Sequence, residues 1–454
     1  MFSSLSSAEH SARKRLISHV YSKSFVQSST AVSAQAGAIL YGRLLPLIHA
    51  STTTPQTSLD MYSVFMGVTM DVVTAYALGL DKGTNLIEDE ATRTRILKLY
   101  GARNLNFFDH ELPWLTRTCR KWGIPLLCPK WVDEANNELH EWCMRMIERA
   151  AATTTTSTTS TTTLNDNKTR STSHDDPVNE PVVYKTLLNG FTSSTSTTTK
   201  GGPTSSILYP IVSATTQKLK LSIASELFDH ALAGQETAGI ALSYVAWRLS
   251  QSLPLQAQLR TELLTHLTTP NNMHWDPSSS SSSSSPSSSS NLIPDPKQLD
   301  ALPLLHAILM ETLRLHAPIP GPQPRLTSES SSNNNNNNNK ATTIIGGHPI
   351  PPGVRVASLA YTLHRNQNVF PDPERWDHTR WLLPSESTTL TSAQEEDEER
   401  RKQMNRYFWA FGSGGRMCVG SNFAMHGETN QPPPFSPHAC PWRWKCEMLT
   451  WYTT

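Results

Sequence analysis

The chain has 454 residues, with 39 Lys and Arg against 38 Asp and Glu, so its formal net charge is +1. A net charge this small excludes a general attraction to nucleic acid or to acidic membranes, so a charged partner would need a local patch. The six cysteines are too few and too irregularly spaced for a disulfide framework in a chain of this size, so a reducing compartment is expected.

Residues 1 to about 150 are predicted to form helices separated by short loops. Within "WVDEANNELHEWCMRMIERA" the apolar positions recur at helical spacing and give one apolar face. The start of the chain has no apolar targeting segment. The only long apolar run, Met61 to Leu80, contains Asp71, so we predict a buried helix rather than a membrane span.

Four low-complexity tracts interrupt the chain. They are rich in Thr at 153–163, in Ser and Thr at 192–199, in Ser at 278–290 and in Asn at 333–339. Such tracts bury too little apolar area to offset the loss of chain entropy, so they are predicted to be disordered insertions on surface loops. They separate the structural elements without dividing the domain.

The segments between the tracts predict a mainly α fold with a small β region. Residues 222–251 form one long apolar helix with Gly234 in its middle, and "LPLLHAILMETLRLHAP" is a second helix that ends before Pro318. "HPIPPGVRVASLAYTLHRN" is typical of a turn that leads into a strand, and the acidic run 395–399 is predicted to be a solvated loop.

The stretch "FWAFGSGGRMCVG" places one cysteine, Cys418, at the end of a glycine-rich loop. The glycine spacing does not fit a phosphate-binding turn, and the pair Cys440 and Cys446 is too widely spaced for a usual zinc knuckle. A nucleophilic cysteine would need a partner histidine, which the sequence does not place. A buried structural cysteine is the simplest alternative for an isolated Cys-Gly pair. A thiolate ligand for haem needs only one cysteine, because the macrocycle supplies four nitrogen ligands.

The same loop resembles the haem-binding loop of the cytochrome P450 family, Phe-x-x-Gly-x-Arg-x-Cys-x-Gly. The matching residues are Phe411, Gly414, Arg416, Cys418 and Gly420. The resemblance implies that Cys418 is the axial ligand of the haem iron. It also implies that Arg416 lies near the porphyrin edge, where a propionate would be its partner.

Two further motifs resemble the family in the family's own order. Glu311 and Arg314 match its Glu-x-x-Arg pair, a buried structural lock whose third member we place at Arg380 rather than at Arg375. Gly234, Glu236 and Thr237 match its Gly-x-Asp/Glu-Thr element, in which the helix opens over the iron. The resemblance implies that Glu236 and Thr237 relay protons to bound dioxygen. Without the family resemblance, Gly234 would indicate only a kinked buried helix, and Glu311 with Arg314 only a surface ion pair.

A weaker match lies near the start of the chain. "AEHSARKRLIS" resembles the helix that holds a haem propionate, with His10 and Lys14 at the matching positions. Arg13 and Arg15 would add to a basic surface for an acidic electron donor. A basic amphipathic helix without a haem role remains an alternative. The wording "YSKSFVQSS" is similar to that of members from filamentous fungi, which implies a microsomal type at the endoplasmic reticulum membrane.

The resemblance covers residues 1–426 as a partial cytochrome P450 domain, interrupted by the four tracts. No membrane anchor precedes it, so a cytoplasmic location is the alternative. After the cysteine loop, Gly427 stands where the family has a glutamate, and the prolines that follow predict an aberrant tail over 427–454 instead of the family's long helix.

The implied function is that of a haem-dependent monooxygenase. It would take electrons from an NADPH-dependent reductase and use dioxygen to hydroxylate or epoxidise an apolar small molecule. Two alternatives stay open. One is a truncated haem-binding remnant without catalysis, and the other is a haem-thiolate isomerase or dehydratase that uses no dioxygen.

Overall fold

A computed structural model describes residues 7–53, 58–102, 108, 112–124, 129–159, 176–196, 216–267, 293–327, 343–382 and 392–429. The chain divides into two compact units. The first comprises residues 1–302 and 419–454, and the second comprises residues 303–418.

The first unit is helical throughout its described residues. Its α-helices are α1 (Ser7–Ile17), α2 (Lys23–Ser28), α3 (Thr30–Ile39), α4 (Leu45–Thr53), α5 (Met61–Leu78), α6 (Glu90–Gly101), α7 (Pro113–Lys121), α8 (Lys130–Thr159), α9 (Val182–Ser196), α10 (Thr216–Ser250), α11 (Leu253–His266), α12 (Pro296–Asp300) and α16 (Ser421–Thr429). The predicted helices over the first 150 residues and over 222–251 are confirmed.

In its described residues the second unit has three α-helices and four short strands. These are α13 (Pro303–Leu315), β1 (Pro322–Leu326), β2 (Thr343–Ile345), β3 (His348–Ile350), β4 (Arg355–Leu359), α14 (Ala360–Leu363) and α15 (Ser392–Tyr407). Strand β1 pairs antiparallel with β4, and β2 pairs antiparallel with β3. The mainly α architecture with a small β region is therefore as predicted.

Helix α5 is the buried centre of the first unit, as its sequence predicts. It starts at the N-cap Asp60, whose carboxylate accepts from the backbone N–H groups of Tyr62 and Ser63, and nearly all of its residues are buried. Asp71 in its middle is fully buried and accepts from Thr84 Oγ1 at 2.6 Å and from Leu86 N at 2.7 Å. Burial raises the pKa of Asp71, and these hydrogen bonds oppose the shift. The acid inside this apolar helix is thus a structural hub.

Helices α5 and α10 pack closely because two glycines of α10 leave room for side chains of α5. A Cβ atom added at Gly234 would lie 2.8 Å from Val73 Cγ2, and one added at Gly239 would lie 2.7 Å from Met66 Sδ. Both distances are shorter than a normal carbon contact, so a larger residue would push the helices apart. Gly234 therefore has a packing role here.

Residues Leu40–Leu44 form one turn of π-helix between α3 and α4. Pro46 has no N–H to donate to the carbonyl four residues before it, which accounts for the wider winding at this point. The stretch Thr30–Thr53 that includes this turn is apolar and long enough to cross a membrane, as is Met61–Leu78. The sequence-based expectation recognised only the second, of which 83% of the window is buried.

Two expectations change with the structure. The acidic run 395–399 lies inside α15 and not in a loop, because Asp397 pairs with Arg400 and Glu398 with Lys402 at helical spacing. Helices α8 and α9 continue to Thr159 and Ser196, so the 153–163 and 192–199 tracts begin within helices, whereas the tracts at 278–290 and 333–339 lie outside the described residues. Helix α16 spans Ser421–Thr429, and the domain boundary at 426 stays a prediction.

Candidate functional site

The cysteine loop is closed by backbone hydrogen bonds at both ends. The N–H of Gly412 donates to the carbonyl of Trp409 at 3.0 Å, and the N–H of Cys418 donates to the carbonyl of Phe411 at 2.9 Å. Gly412 and Gly414 have φ angles of 69° and 71°, a region that residues with a Cβ atom rarely adopt. The glycines are therefore required by the turn itself.

Strand β1 supports this loop from one side. A Cβ atom at Gly412 would lie 2.8 Å from Gln323 Oε1, so the end of the Gln323 side chain lies directly against the glycine. Gln323 Nε2 also donates to the carbonyl of Trp409 at 3.4 Å, and Arg325 Nη2 donates to the carbonyl of Ser413 at 3.3 Å. The loop is held by the sheet as well as by its own turn.

The cysteine of this loop is an exposed residue. Cys418 is exposed, whereas Cys119 and Cys143, the other cysteines in the described part of the chain, are buried. A Cβ atom at Gly414 or Gly415 would meet nothing within 4 Å, so the backbone beside the thiol is unobstructed. An accessible sulfur beside an open glycine backbone fits a flat macrocycle bound through one thiolate.

Metal binding by protein ligands alone is not supported over the same residues. The described residues contain no cluster of three or more His, Cys, Asp or Glu side chains that could hold a metal ion. The pair Cys440 and Cys446 lies outside the described residues. A zinc site, which needs three or four protein ligands, therefore has no donor set in the described part of the chain.

Glu311 and Arg314 form a fully buried ion pair on α13. Arg314 donates from Nε to Glu311 Oε2 and from Nη2 to Glu311 Oε1, each at 2.8 Å. Both side chains are 0% exposed, unlike the usual surface pair at this spacing. Arg380 joins them, with its Nε atom 3.4 Å from Glu311 Oε1, a charge contact without hydrogen-bond alignment, and its Nη2 donates to the carbonyl of Asp372. We call these three residues the lock.

The lock binds the surrounding backbone rather than only itself. Arg314 Nη1 donates to the carbonyls of His364 and Pro373, each at 2.8 Å, and Nη2 donates to the carbonyl of Arg375 at 3.2 Å. Arg375 thus contributes its backbone, whereas the guanidinium beside Glu311 belongs to Arg380. Because the guanidinium donates to three backbone carbonyls as well as to Glu311, it fixes the path of residues 364–375.

Sequence patterns missed the remaining partners of Glu311. The indole N–H of Trp381 donates to Glu311 Oε2 at 3.0 Å, and the backbone N–H of Asp377 donates to Glu311 Oε1 at 2.8 Å. Asp377 lies three residues before Arg380 and Trp381 directly follows it in "DHTRW". This nearness in sequence was the only indication that they contact Glu311. Their contacts, however, depend on the fold of the 3₁₀ turn His378–Trp381.

Helix α10 carries Gly234, Glu236 and Thr237 in the first unit. The Thr237 hydroxyl donates to the carbonyl of Ala233 at 2.8 Å, the competition with the helix backbone that its position predicts. The helix is continuous from Thr216 to Ser250, so the described backbone shows no opening at this point. Glu236 and Thr237 are both partly exposed.

Helix α1 places His10 in the interior and Lys14 at a partly exposed position. Arg13 differs from expectation, because it does not add to a free basic surface. Its Nη1 atom lies 2.6 Å from the buried carboxylate of Glu226 on α10, and Nη2 lies 3.2 Å from Glu9. Burial lowers the pKa of Arg13, but the contacts with the two glutamates outweigh burial and raise it. The charge of Arg13 is neutralised inside the unit, so of the two arginines only Arg15 is exposed.

The fold and the loop together define the class of a haem-thiolate protein: mainly helical, with one accessible cysteine on a glycine loop above a buried Glu-Arg lock. The comparisons with known proteins give the family. Residues 215–428 match the family model "Cytochrome P450", and this part of the chain, which contains α10, the lock and the cysteine loop, belongs to that family. The cofactor of the family is haem with a cysteine thiolate as axial ligand.

Several fungal proteins are similar to the chain. Cytochrome P450 monooxygenase avaI of Aspergillus versicolor is 27% identical over 207 residues, which cover 46% of this chain and 43% of that protein. Cytochrome P450 monooxygenase cicH of Emericella nidulans is 35% identical over 129 residues, covering 28% and 21%. Cytochrome P450 monooxygenase BOT1 of Botryotinia fuckeliana is 31% identical over 128 residues, covering 28% and 20%. The chain thus spans less than half the length of each of these relatives.

Proposed function

We propose that the chain is a haem-dependent monooxygenase that oxidises an apolar small molecule. The observation that carries this proposal is the exposed Cys418 beside the open backbone of Gly414 and Gly415. Haem bound through a thiolate supplies dioxygen activation, because the electron-rich sulfur favours O–O cleavage. This chain's residues would hold the group: Cys418 at the iron, with Arg416 of the same loop as the cationic partner of a propionate. For His10 and Lys14 of the first unit, a role toward the propionates is only what the family resemblance implies.

The test is the spectrum of the reduced protein with carbon monoxide, after expression of the full chain with a haem supply. We expect the red-shifted Soret band of a thiolate-ligated haem. Cys418→Ala should abolish the band, and Met417→Ala, at the exposed neighbouring position, should retain it. A wild-type protein that binds no haem would overturn the monooxygenase proposal in favour of a remnant. Product without an oxygen atom from labelled dioxygen would favour an isomerase or dehydratase.

Glu236 and Thr237 are proposed to hold and pass on protons, with the Thr237 hydroxyl as the last group of the relay. The Thr237 hydroxyl donates its hydrogen to Ala233, which leaves its oxygen free to accept a hydrogen bond from a ligand. To pass on a proton, the hydroxyl would have to turn away from that carbonyl. Thr237→Val keeps the shape and removes the hydroxyl, so reductant consumption should continue while product falls, whereas Thr237→Ser should stay coupled. Equal coupling in all three proteins would remove Thr237 from this role.

Electrons are proposed to come from an NADPH-dependent reductase, as the family resemblance implies. Arg15 is exposed and Lys14 is partly exposed on one helix, so a small basic surface is available to an acidic donor. Arg15→Glu should slow reduction of the haem by the reductase without altering the carbon monoxide spectrum. Reduction at the wild-type rate would place the donor elsewhere.

Membrane association is proposed for the surface around α7. Trp114, Trp122 and Trp131 are 66%, 73% and 53% exposed, and residues 112–132 contain two Arg and two Lys but no Asp or Glu. Exposed indole rings beside cations are typical of segments that lie in a membrane interface. The ion pair between Arg120 and Asp133, at 3.0 Å, connects the two helices that carry these rings.

Vesicle flotation tests this proposal. The protein should bind vesicles with anionic headgroups, and Trp114→Ser with Trp122→Ser should weaken binding. Leu253→Ser is the matched control, because Leu253 is 65% exposed on a different helix. Equal weakening by the control would show non-specific adhesion, and no binding by the wild type would leave the protein off the membrane.

A further inference from the structure

His364 is a fully buried histidine that occupies a central position in the second unit. It is 0% exposed, and it follows α14 directly. The family motifs assign it no role. Its surroundings are unusual because its backbone and its ring bind two different parts of the unit.

The backbone of His364 belongs to the lock. Its carbonyl accepts from Arg314 Nη1 at 2.8 Å, and the guanidinium of Arg314 is held in turn by both oxygens of Glu311. Since these groups are all buried, His364 has no freedom to shift while the ion pair is intact. The position of its ring is therefore set by the lock.

The ring of His364 binds the start of the cysteine loop. Its Nε2 atom accepts from the backbone N–H of Trp409 at 2.8 Å, and its plane stacks on the ring of Phe408 with centroids 5.4 Å apart and an angle of 21°. Because Nε2 accepts, the ring proton must lie on Nδ1, which has no hydrogen-bond partner among the described residues. Burial lowers the pKa of His364 to about 4, which keeps Nε2 available as an acceptor.

A second side chain connects the same two places. Trp381 donates to Glu311 Oε2 and packs edge-on against Phe408, with centroids 5.6 Å apart at 77°. From Trp409 the loop continues through the hydrogen bond of Gly412 to the carbonyl of Trp409 and ends at Cys418. A displacement at Phe408 and Trp409 would therefore be carried along a short, hydrogen-bonded turn.

We propose that His364 is a positioning residue: its ring acceptor fixes the start of the cysteine loop to the Glu311–Arg314 lock and so sets the place of the Cys418 thiolate. An apolar residue of similar size would fill the space but would leave the part-buried Trp409 N–H without its acceptor. The hydrogen bond, and not the packing alone, is what the position requires. This inference rests on the proposed haem site only for its effect on the thiolate.

Three variants separate the acceptor from the ring. His364→Phe keeps an aromatic ring against Phe408 but removes the acceptor, and His364→Gln restores an acceptor at a similar distance from the backbone. His348→Phe is the matched control, because His348 lies on an exposed strand of the same unit. All are made in the full chain.

The first measurement is hydrogen–deuterium exchange in the haem-free protein. The Trp409 amide should exchange about five times faster in His364→Phe, the factor expected from one hydrogen bond, and His364→Gln should recover most of the protection. The Asp377 amide, which donates to Glu311, is the internal reference and should not change. Equal acceleration of both amides, or of neither, would overturn the proposal.

The second measurement is the carbon monoxide spectrum of the haem-loaded proteins. His364→Phe should lose a substantial part of the thiolate-type band, with recovery in His364→Gln and no change in His348→Phe. A faster Trp409 amide with an unchanged spectrum would overturn the effect on Cys418. If the wild type bound no haem, the proposed function would fall, whereas the amide exchange would still decide whether His364 holds the loop.

Discussion

Replacement of Glu311 by Gln should destabilise the second unit far more than an equivalent change at its surface. Glu311 Oε1 accepts from Arg314 Nη2 and from Asp377 N, and Oε2 accepts from Arg314 Nε and from Trp381 Nε1. Whichever oxygen the amide nitrogen replaces, two buried donors lose their acceptor and face another donor. The guanidinium of Arg314 also loses its buried counter-charge.

The expected cost follows from this count. Removing one partner of a buried ion pair costs about 3–5 kcal/mol, because an uncompensated charge remains inside. Asp397→Asn provides the control, since Asp397 and Arg400 form a pair with the same three-residue spacing but with side chains 38% and 40% exposed. A surface pair of that kind contributes about 0–1 kcal/mol.

Denaturant-dependent amide exchange of the full chain measures both effects. Peptides that cover residues 303–315 and 364–382 report the unfolding of the lock region, and the two variants are compared with the wild type at matched urea concentrations. If Glu311→Gln lowers the free energy of unfolding by no more than Asp397→Asn does, burial does not make the Glu311–Arg314 pair more stabilising than a surface pair.

Three other changes test the packing of the first unit. Gly234→Ala should lower the free energy of unfolding by about 1–3 kcal/mol, because the added Cβ atom would clash with Val73. Adding Val73→Ala should make the double variant more stable in urea than the sum of the two single losses predicts. Additive losses would rule out the contact. Phe423→Leu should cost about 0.5–1.5 kcal/mol, because the ring stacks on Tyr76 at 4.4 Å, and an unchanged urea midpoint would show that α16 is not held there. Burial lowers the pKa of His230 from 6.5 to about 4, so the unfolded state takes up the proton first as the pH falls. The free energy of unfolding should therefore decrease as the pH drops from 6.5 toward 4. His230→Phe should flatten this dependence on pH, and an identical dependence would exclude His230 as its source.

Features of the fold and the site that depend on residues close together in sequence could be predicted. The cysteine loop, the helical spacing of Glu311 and Arg314, and the buried nature of α5 could all be predicted, because each depends on a few adjacent positions or on one periodic face. The choice of Arg380 over Arg375 came from aligning a short segment with the family's pattern, and the structure brings Arg380 to the carboxylate of Glu311.

Contacts between distant segments could not be predicted in this way. Arg13 meets Glu226 across 213 positions, and nothing near Arg13 indicates that its charge is neutralised inside the unit. The same limit applies to His364, which is 45 positions away in sequence from Trp409, the residue whose backbone N–H its ring accepts. Gly234 shows the opposite problem: the local motif favoured an opened helix, whereas Val73 on another helix requires the glycine for packing.

The exposure of Cys418 has a consequence for how the haem-free protein must be handled. Cys119 and Cys143 are shielded by burial, so over the described residues Cys418 is the cysteine that solvent-borne peroxide reaches first. Oxidation past the sulfenic acid is irreversible, and a sulfinate no longer offers the soft sulfur that iron binds. Haem-free preparations made without reductant should therefore lose haem binding as Cys418 oxidises, while the buried Cys119 and Cys143 stay reduced.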